Sequence, residues 1–301
     1  MVNKLNKKLK KNKVKNGVYS FMIGLFLVAF VVITLYPILN TLAISFNDAI
    51  DSLRGGIYLW PRKWTLENYQ TVLHKDSITT GLYVSVARTV VAVVLQLSTT
   101  ALLSFILSRK NFIFRKQLSF IYVLTMYVNG GLIPTFLLYK NLGLTNSFWV
   151  YILPGMVSAF NMLVIRTYMN SLPESLEESA KMDGAGYLKI FIKIIVPLCK
   201  PVFATIALFI AVGQWNSWFD TMLYNRMSDH LTTLQYELMK LLSSVSKLSG
   251  NANTAQYSSV QVTTTSVRAA ATILTCLPIV ALYPFLQRYF ITGLTIGGVK
   301  E

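Results

Sequence analysis

Six stretches of this chain carry no charge or almost none: Gly17–Asn47, Ser77–Ser108, Gln117–Tyr139, Asn141–Ile165, Pro201–Phe219 and Ala269–Gln287. Each is near the roughly 20 residues that a helix needs to cross a bilayer, where backbone groups find no water and must bond within their own segment. The expectation is an all-α integral membrane protein with six transmembrane helices. A composition of 53% hydrophobic and 13% charged residues agrees, and excludes an ordinary soluble domain of 301 residues. The first run follows a lysine-rich start, but it is about twice as long as a signal h-region and "YPILNTLAISFN" has no small-x-small cleavage site, so it reads as a retained helix.

The net charge of +16 would suit nucleic acid if it were spread evenly, but it is not. Lys4, Lys7, Lys8, Lys10, Lys11, Lys13 and Lys15 precede the first run. Arg109, Lys110, Arg115 and Lys116 lie between the second and third, and Lys181, Lys189, Lys193 and Lys200 between the fourth and fifth. Arg288 and Lys300 follow the sixth, whereas Asn47–Asp76 balances four basic residues with four acids. By the positive-inside rule both termini are cytoplasmic. Residues 1–16 then form a basic cytoplasmic segment, 17–290 the membrane domain and 291–301 a cytoplasmic tail. The outer loops are Asn47–Asp76, a tight turn near Lys140–Asn146, and 224–266, whose "SSVSKLSGNANTAQYSS" reads as exposed and mobile. "GGIYLWPRKWTLENY" sets aromatic residues beside basic ones, which suits the outer interface.

Polar residues inside the runs need an account. Arg88 lies 21 residues before Arg109, and Arg268 lies 20 before Arg288; at 1.5 Å per residue each gap spans roughly the 30 Å hydrocarbon layer, which puts both arginines near the outer surface. They read either as snorkelling side chains or as a pair bordering an external vestibule. In the fifth run "AVGQWNSWFDTMLY" sets Gly213, Asn216 and Asp220 on one helical face and Gln214, Trp218 and Thr221 on the next, with Trp215 alongside. Asn129 stands in "YVNGGLIP", where Gly130, Gly131 and Pro134 loosen the helix, and Pro154, Ser158 and Asn161 stand in the fourth run. Interhelical hydrogen bonding and contact with a sugar, stacked on tryptophan and bonded by amides, both fit this pattern.

The cysteines, Cys199 and Cys276, are isolated and read as packing residues. His74 and His230 are isolated too, so no catalytic or metal-binding cluster is expected. A membrane transferase would need such a cluster at a membrane face.

One island is acidic. Ser171–Gly186, "SLPESLEESAKMDGAG", holds Glu174, Glu177, Glu178 and Asp183 out of only twelve acids in the chain. Ser171 and Glu174 have capping-box spacing with Pro173 in the first turn, Glu177 stands four before Lys181, and Gly184 suits a helix stop. A short helix is expected there, too short to be stable unless it docks on something.

"EESAKMDGAGYLKIFIKIIVPLCKP" closely resembles the EAA loop of ABC-importer permeases at Glu178, Ser179, Ala180, Asp183, Gly184 and Pro197, with Ser179 in place of the first alanine. "YPFLQRYFITGLTIGGVKE" and "GQWNSWFD" are similar to the carbohydrate-uptake branch, its MalG-like subunit. The long outer loop and "RTVVAVV" are similar to the subgroup for oligosaccharides from complex polysaccharides. The resemblance implies a type I importer (MetI-like) fold in which loop 171–197 carries the helix that couples to a cytoplasmic ATPase. It implies as coupling residues Glu174, Glu177, Glu178, Ser179, Ala180, Asp183, Gly184 and Pro197, with the carboxylates pairing to basic residues of the ATPase. Asn129, Asn161, Trp215, Asn216, Trp218 and Asp220 are candidates for the substrate pathway, and Arg88 and Arg268 for the vestibule.

Implied partners are a second permease, two ATP-binding subunits carrying ATP and Mg, an extracytoplasmic solute-binding lipoprotein and the lipids of a bacterial cell membrane. No cofactor, catalytic residue or nucleic acid is expected on this chain, and no phosphate-binding Gly-x-x-x-x-Gly-Lys occurs in it. Import of another solute, such as a peptide or amino acid, is the alternative.

Overall fold

The structure is a computed structural model and describes residues 2–249 and 264–295. The expected mobile stretch around Gly250–Tyr257 and the end of the tail lie outside the described residues. In chain order the helices are α1 (Val2–Ser45), α2 (Ala49–Leu53), α3 (Glu67–Leu73), α4 (Asp76–Ser108), α5 (Arg115–Tyr127), α6 (Leu132–Asn141) and α7 (Ala159–Asn170). They continue with α8 (Ser175–Met182), α9 (Tyr187–Ile190), α10 (Val196–Leu198), α11 (Lys200–Asn216), α12 (Phe219–Tyr224), α13 (Leu234–Ser249) and α14 (Thr264–Thr295).

Among the described residues three helical stretches are long and apolar enough to cross a membrane unbroken: Tyr19–Ser45, Asp76–Ser108 and Thr265–Leu282. The remaining apolar runs are bent pairs, so the count rises to six only if each pair is one span. Arg115–Tyr127 and Leu132–Asn141 meet at 119°, Phe148–Gly155 and Ala159–Asn170 at 47°, and Tyr187–Leu198 and Lys200–Asn216 at 81°. The breaks fall where the sequence frees or forbids helical bonds. Asn129 Oδ1 accepts the Gly131 N–H at 2.9 Å, and Gly131 takes φ +86°, open to glycine at little cost. Ser158 caps α7 by accepting the Asn161 N–H, and Pro201 opens α11. A π turn at Phe191–Ile195 precedes α10, where Pro197 lies exposed.

Two expectations are corrected. α11 stops at Asn216 and the chain is extended at Ser217 before α12, so the helical faces drawn through residues 213–221 do not continue across the break. The first half of the expected outer loop is not a loop: α13 buries Leu234, Tyr236 and Leu238, and the Leu234 N–H donates to Ser85 Oγ of α4 at 2.9 Å.

The described residues fall into two units. In the unit of residues 2–72 and 264–273, α1 buries nothing in its apolar window, so lipid or another chain must cover it. The loop after it is organised by buried Asn47, whose amide donates to Asp51 Oδ2 at 3.0 Å and accepts the N–H groups of Arg62 and Lys63. Hydrogen bonding from Asn47 and then Arg62 holds the Asp51 carboxyl below its ordinary range, against desolvation.

The unit of residues 73–249 and 274–295 is built on α4, packed against α7, α11 and α13. α4 buries Arg88, Ala92, Gln96, Thr100, Ser104 and Ser108 at every fourth position, one continuous stripe. Gln96 Nε2 donates to the Ile152 carbonyl at 3.1 Å, Thr99 Oγ1 to that of Met156 at 2.5 Å and Ser104 Oγ to that of Met162 at 3.1 Å. Small and polar residues are the usual means of helix contact in lipid, where apolar burial alone gives no preference for protein over lipid. Ile165, Ile190, Ile206 and Cys199 complete the core around Phe105.

Candidate functional site

The acidic island folds as a short helix, but not from Ser171. Ser171 instead ends α7, its Oγ donating to the Tyr168 carbonyl at 2.7 Å. α8 begins at Ser175 after Glu174, with no side-chain cap. The capping box is absent because Ser171 caps the end of α7 in helical conformation and the N-cap of α8 is Glu174 itself, whose carboxylate lies 2.5 Å from Lys110 Nζ. The far end follows the expectation. Gly184, at φ +73°, donates to the Lys181 carbonyl at 3.0 Å, and Ala185 donates to that of Ala180 at 2.9 Å, the paired bonds that close a helix on a left-handed residue.

One face of α8 is braced by its own chain. Glu177 pairs with Arg109, the residue that ends α4, and with Lys181 at 2.9 Å, while Ala180 is buried. Arg109 lies over the Phe105 ring at 4.8 Å and donates to Ser108 Oγ at 2.9 Å. Lys110 holds the Glu174 carboxyl below its ordinary range, by hydrogen bond first and charge second. Burial lowers the Arg109 pKa, opposed by the charge of Glu174. Thus two of the four carboxylates that sequence reasoning assigned to a partner are held within the chain. The opposite face carries Glu178, Ser179 and Asp183, all exposed, with Met182 88% exposed.

A second cluster lies further back along α4, around Arg88, about three turns in from the helix start at Asp76. Arg88, 1% exposed, contacts both oxygens of Asp220, at 2.5 and 3.3 Å. It donates to Gln214 Oε1 at 2.7 and 2.9 Å and lies 4.2 Å over the Tyr151 ring. Tyr151 Oη donates to the Leu231 carbonyl at 2.7 Å. Arg88, read as a snorkelling or vestibule residue near the outer membrane surface, and Asp220, read as a pathway residue, therefore pair with each other, the arginine buried and the carboxylate partly exposed. Trp215 is buried too, its indole N–H donating to the Thr275 carbonyl at 2.9 Å. Asn216 and Asn129 are exposed, Asn161 and Trp218 half-buried, and Arg268 is half-buried on α14. Among the described residues no group of three His, Cys, Asp or Glu is arranged to hold a metal.

Sequence reasoning had Arg109 and Lys110 only as topology markers and did not single out Tyr151. The fourfold spacing from Arg88 to Ser108 was the available signal for the buried stripe.

The family described as "Binding-protein-dependent transport system inner membrane component" matches residues 100–228, which include α8 and both sides of its brace. A polygalacturonan/rhamnogalacturonan transport system permease protein of Bacillus subtilis is 35% identical over 286 residues, 95% of this chain and 99% of that one. The chain belongs to this permease family. An arabinooligosaccharides transport system permease protein of Halalkalibacterium halodurans is 31% identical, over 92% of the permease and 95% of its own length. The permease also superposes on the crystal structure of a bacterial ABC transporter involved in the import of the acidic polysaccharide alginate. The TM-score is 0.84 at 29% identity, covering 92% of this chain and 98% of that one.

Proposed function

We propose that this protein is a membrane subunit of an ATP-driven importer whose cargo is a carbohydrate, specifically an oligosaccharide. Relatives named for polygalacturonan, rhamnogalacturonan and arabino-oligosaccharide transport, and the likeness to an alginate importer, support the cargo class. It works with a second permease, two cytoplasmic subunits that bind ATP and Mg, and an external solute-binding lipoprotein. The chain itself hydrolyses nothing. It crosses the membrane six times, each bent pair serving as one span, with both termini in the cytoplasm, in keeping with the placement of lysine and arginine.

The observation that carries this reading is the two-sidedness of α8. Arg109 and Lys110 brace one face, the glycine turn at Gly184 fixes its end, and Glu178, Ser179, Met182 and Asp183 remain exposed. A rigid, outward-facing helix of mixed charge and apolar character is what a docking element for an ATPase cleft requires. Closure of the ATPase pair moves α8 and thereby shifts the membrane helices between outward and inward access. Asn161, Asn216 and Trp218 are the pathway candidates that remain to meet cargo, with Asn129 through its amide NH2, since Trp215 and Asp220 are engaged within the chain and Asn129 Oδ1 is held by Gly131.

The test is affinity purification of the intact complex from cells carrying Glu178→Lys or Met182→Asp. Release of the ATPase with the permease pair intact is expected. Full retention together with normal uptake would reject the assignment, and mass spectrometry of the unmodified complex identifies partners and cargo.

A further inference from the structure

α4 differs from the other apolar segments of its unit. They are bent pairs or, in α14, carry Pro278 and Pro284. α4 runs unbroken from Asp76 to Ser108, with neither glycine nor proline between Arg88 and Arg109. Those two arginines stand about 30 Å apart along the axis at 1.5 Å per residue. Each is ion-paired to a different segment: Arg109 to Glu177 of α8, and Arg88 to Asp220 at the start of α12. An α-helix closed at every turn by backbone bonds bends gently but scarcely changes length, so a displacement imposed at one end arrives at the other.

The receiving end is suited to yield. Asp220 is the second residue of α12, just past the break at Ser217–Trp218, where the chain leaves the helical bond pattern. Arg88 engages both carboxylate oxygens, so the contact transmits orientation as well as position. Lys110–Glu174, with both side chains mostly exposed, contributes far less than the half-buried Arg109–Glu177 pair.

We propose that the Arg88–Arg109 stretch of α4 acts as a connecting rod fastened at both ends by arginine ion pairs. Glu177–Arg109 takes up the movement of α8 and Arg88–Asp220 delivers it to the break beside Asn216. Arg109 and Arg88 are positioning residues of the transport cycle. The inference rests on α8 being the element that docks the ATPase.

The test uses the intact importer, with its ATPases, in membrane vesicles. Cys199→Ala and Cys276→Ser remove the native thiols and Asn216→Cys supplies the probe. The readout is its rate of reaction with N-ethylmaleimide, with and without MgATP and vanadate, needing no knowledge of the cargo. In this parent the trapped state should change the rate by about fivefold or more. Glu177→Arg should abolish the change while the ATPase stays bound and active, and Glu177→Arg with Arg109→Glu should restore it. At the outer end Asp220→Asn, and the milder Gln214→Leu, should also abolish or blunt it.

A response that persists in Glu177→Arg or in both outer variants overturns the rod, as does a charge swap that restores nothing. Loss of the ATPase from Glu177→Arg complexes overturns it too, since the pair would then only shape the docking helix. An unresponsive parent instead rejects alternating access at this break, and Glu178→Lys tests the docking of α8 separately.

Discussion

Arg88 Nη2 and Asp220 Oδ2 lie 2.5 Å apart across 132 positions of sequence, and the arginine is shielded from solvent by Tyr151 and Gln214. The carboxylate, partly exposed itself, compensates an arginine whose surroundings would otherwise expel its charge. Their joint presence is a condition of the fold around the break between α11 and α12.

Removing Asp220 leaves Arg88 as an uncompensated buried charge. Asp220→Leu should therefore destabilise the purified importer by about 3–5 kcal/mol, while Asp220→Leu with Arg88→Met should recover most of the loss. Thermal unfolding in one detergent decides this. A double variant no better than the single would show that the pair is not the stabilising unit.

Gly184 has open space where a Cβ would stand, so any penalty there is backbone strain alone. Gly184→Ala should cost about 1–2 kcal/mol and Gly184→Asn less, because asparagine tolerates the left-handed region. Gly184→Leu should cost at least as much as alanine and abolish coupled transport. Equal stability of the alanine and asparagine variants would contradict the strain account.

Glu174 contributes through a depressed carboxyl pKa. A group held lower in the folded than in the unfolded state stabilises above its ordinary value, near 4.5, and loses that contribution as pH falls through the folded value. An environment-sensitive label on Met182→Cys should report α8 unchanged between pH 7 and 5 and loosening below pH 4.5. Glu174→Gln should reduce that acid response and change little at pH 7. Loosening already at pH 6 would point to another group.

A cysteine placed between Gly250 and Tyr257 should react with an impermeant reagent outside intact cells, and one beside Arg115 should not. The opposite pattern would reverse the topology read from the charges.

Trp215 and Asn216 are neighbours with separate expected roles. Trp215→Phe deletes the bond to the Thr275 carbonyl and should lower stability by about 0.5–1.5 kcal/mol. Asn216→Ala should leave the melting temperature unchanged and weaken apparent affinity for cargo roughly tenfold or more, if it contacts the sugar as proposed. Uptake kinetics at matched complex abundance separate the two, and unchanged affinity and rate in Asn216→Ala would remove it from the pathway.

The sequence by itself determined the features that depend on neighbouring residues. Apolar runs near membrane length identify the helical membrane class, because lipid offers the backbone no other partner. Gly184 marks a helix end because the glycine carries no Cβ to penalise a left-handed turn. Tertiary structure decided what depends on distant partners. Ser171 matched a capping box, but α7 runs on to it and α8 starts only after Glu174, and the helical periodicity through Asp220 failed because the chain leaves the helix at Ser217. The 21-residue gap to Arg109 suggested a depth for Arg88 but not its partners; Gln214 and Asp220, 126 and 132 positions away, supply those and allow the side chain to be buried. Charge placement along a chain is legible in sequence, but the pairing of buried charges is set by packing, since only the folded contacts determine which desolvated group is compensated.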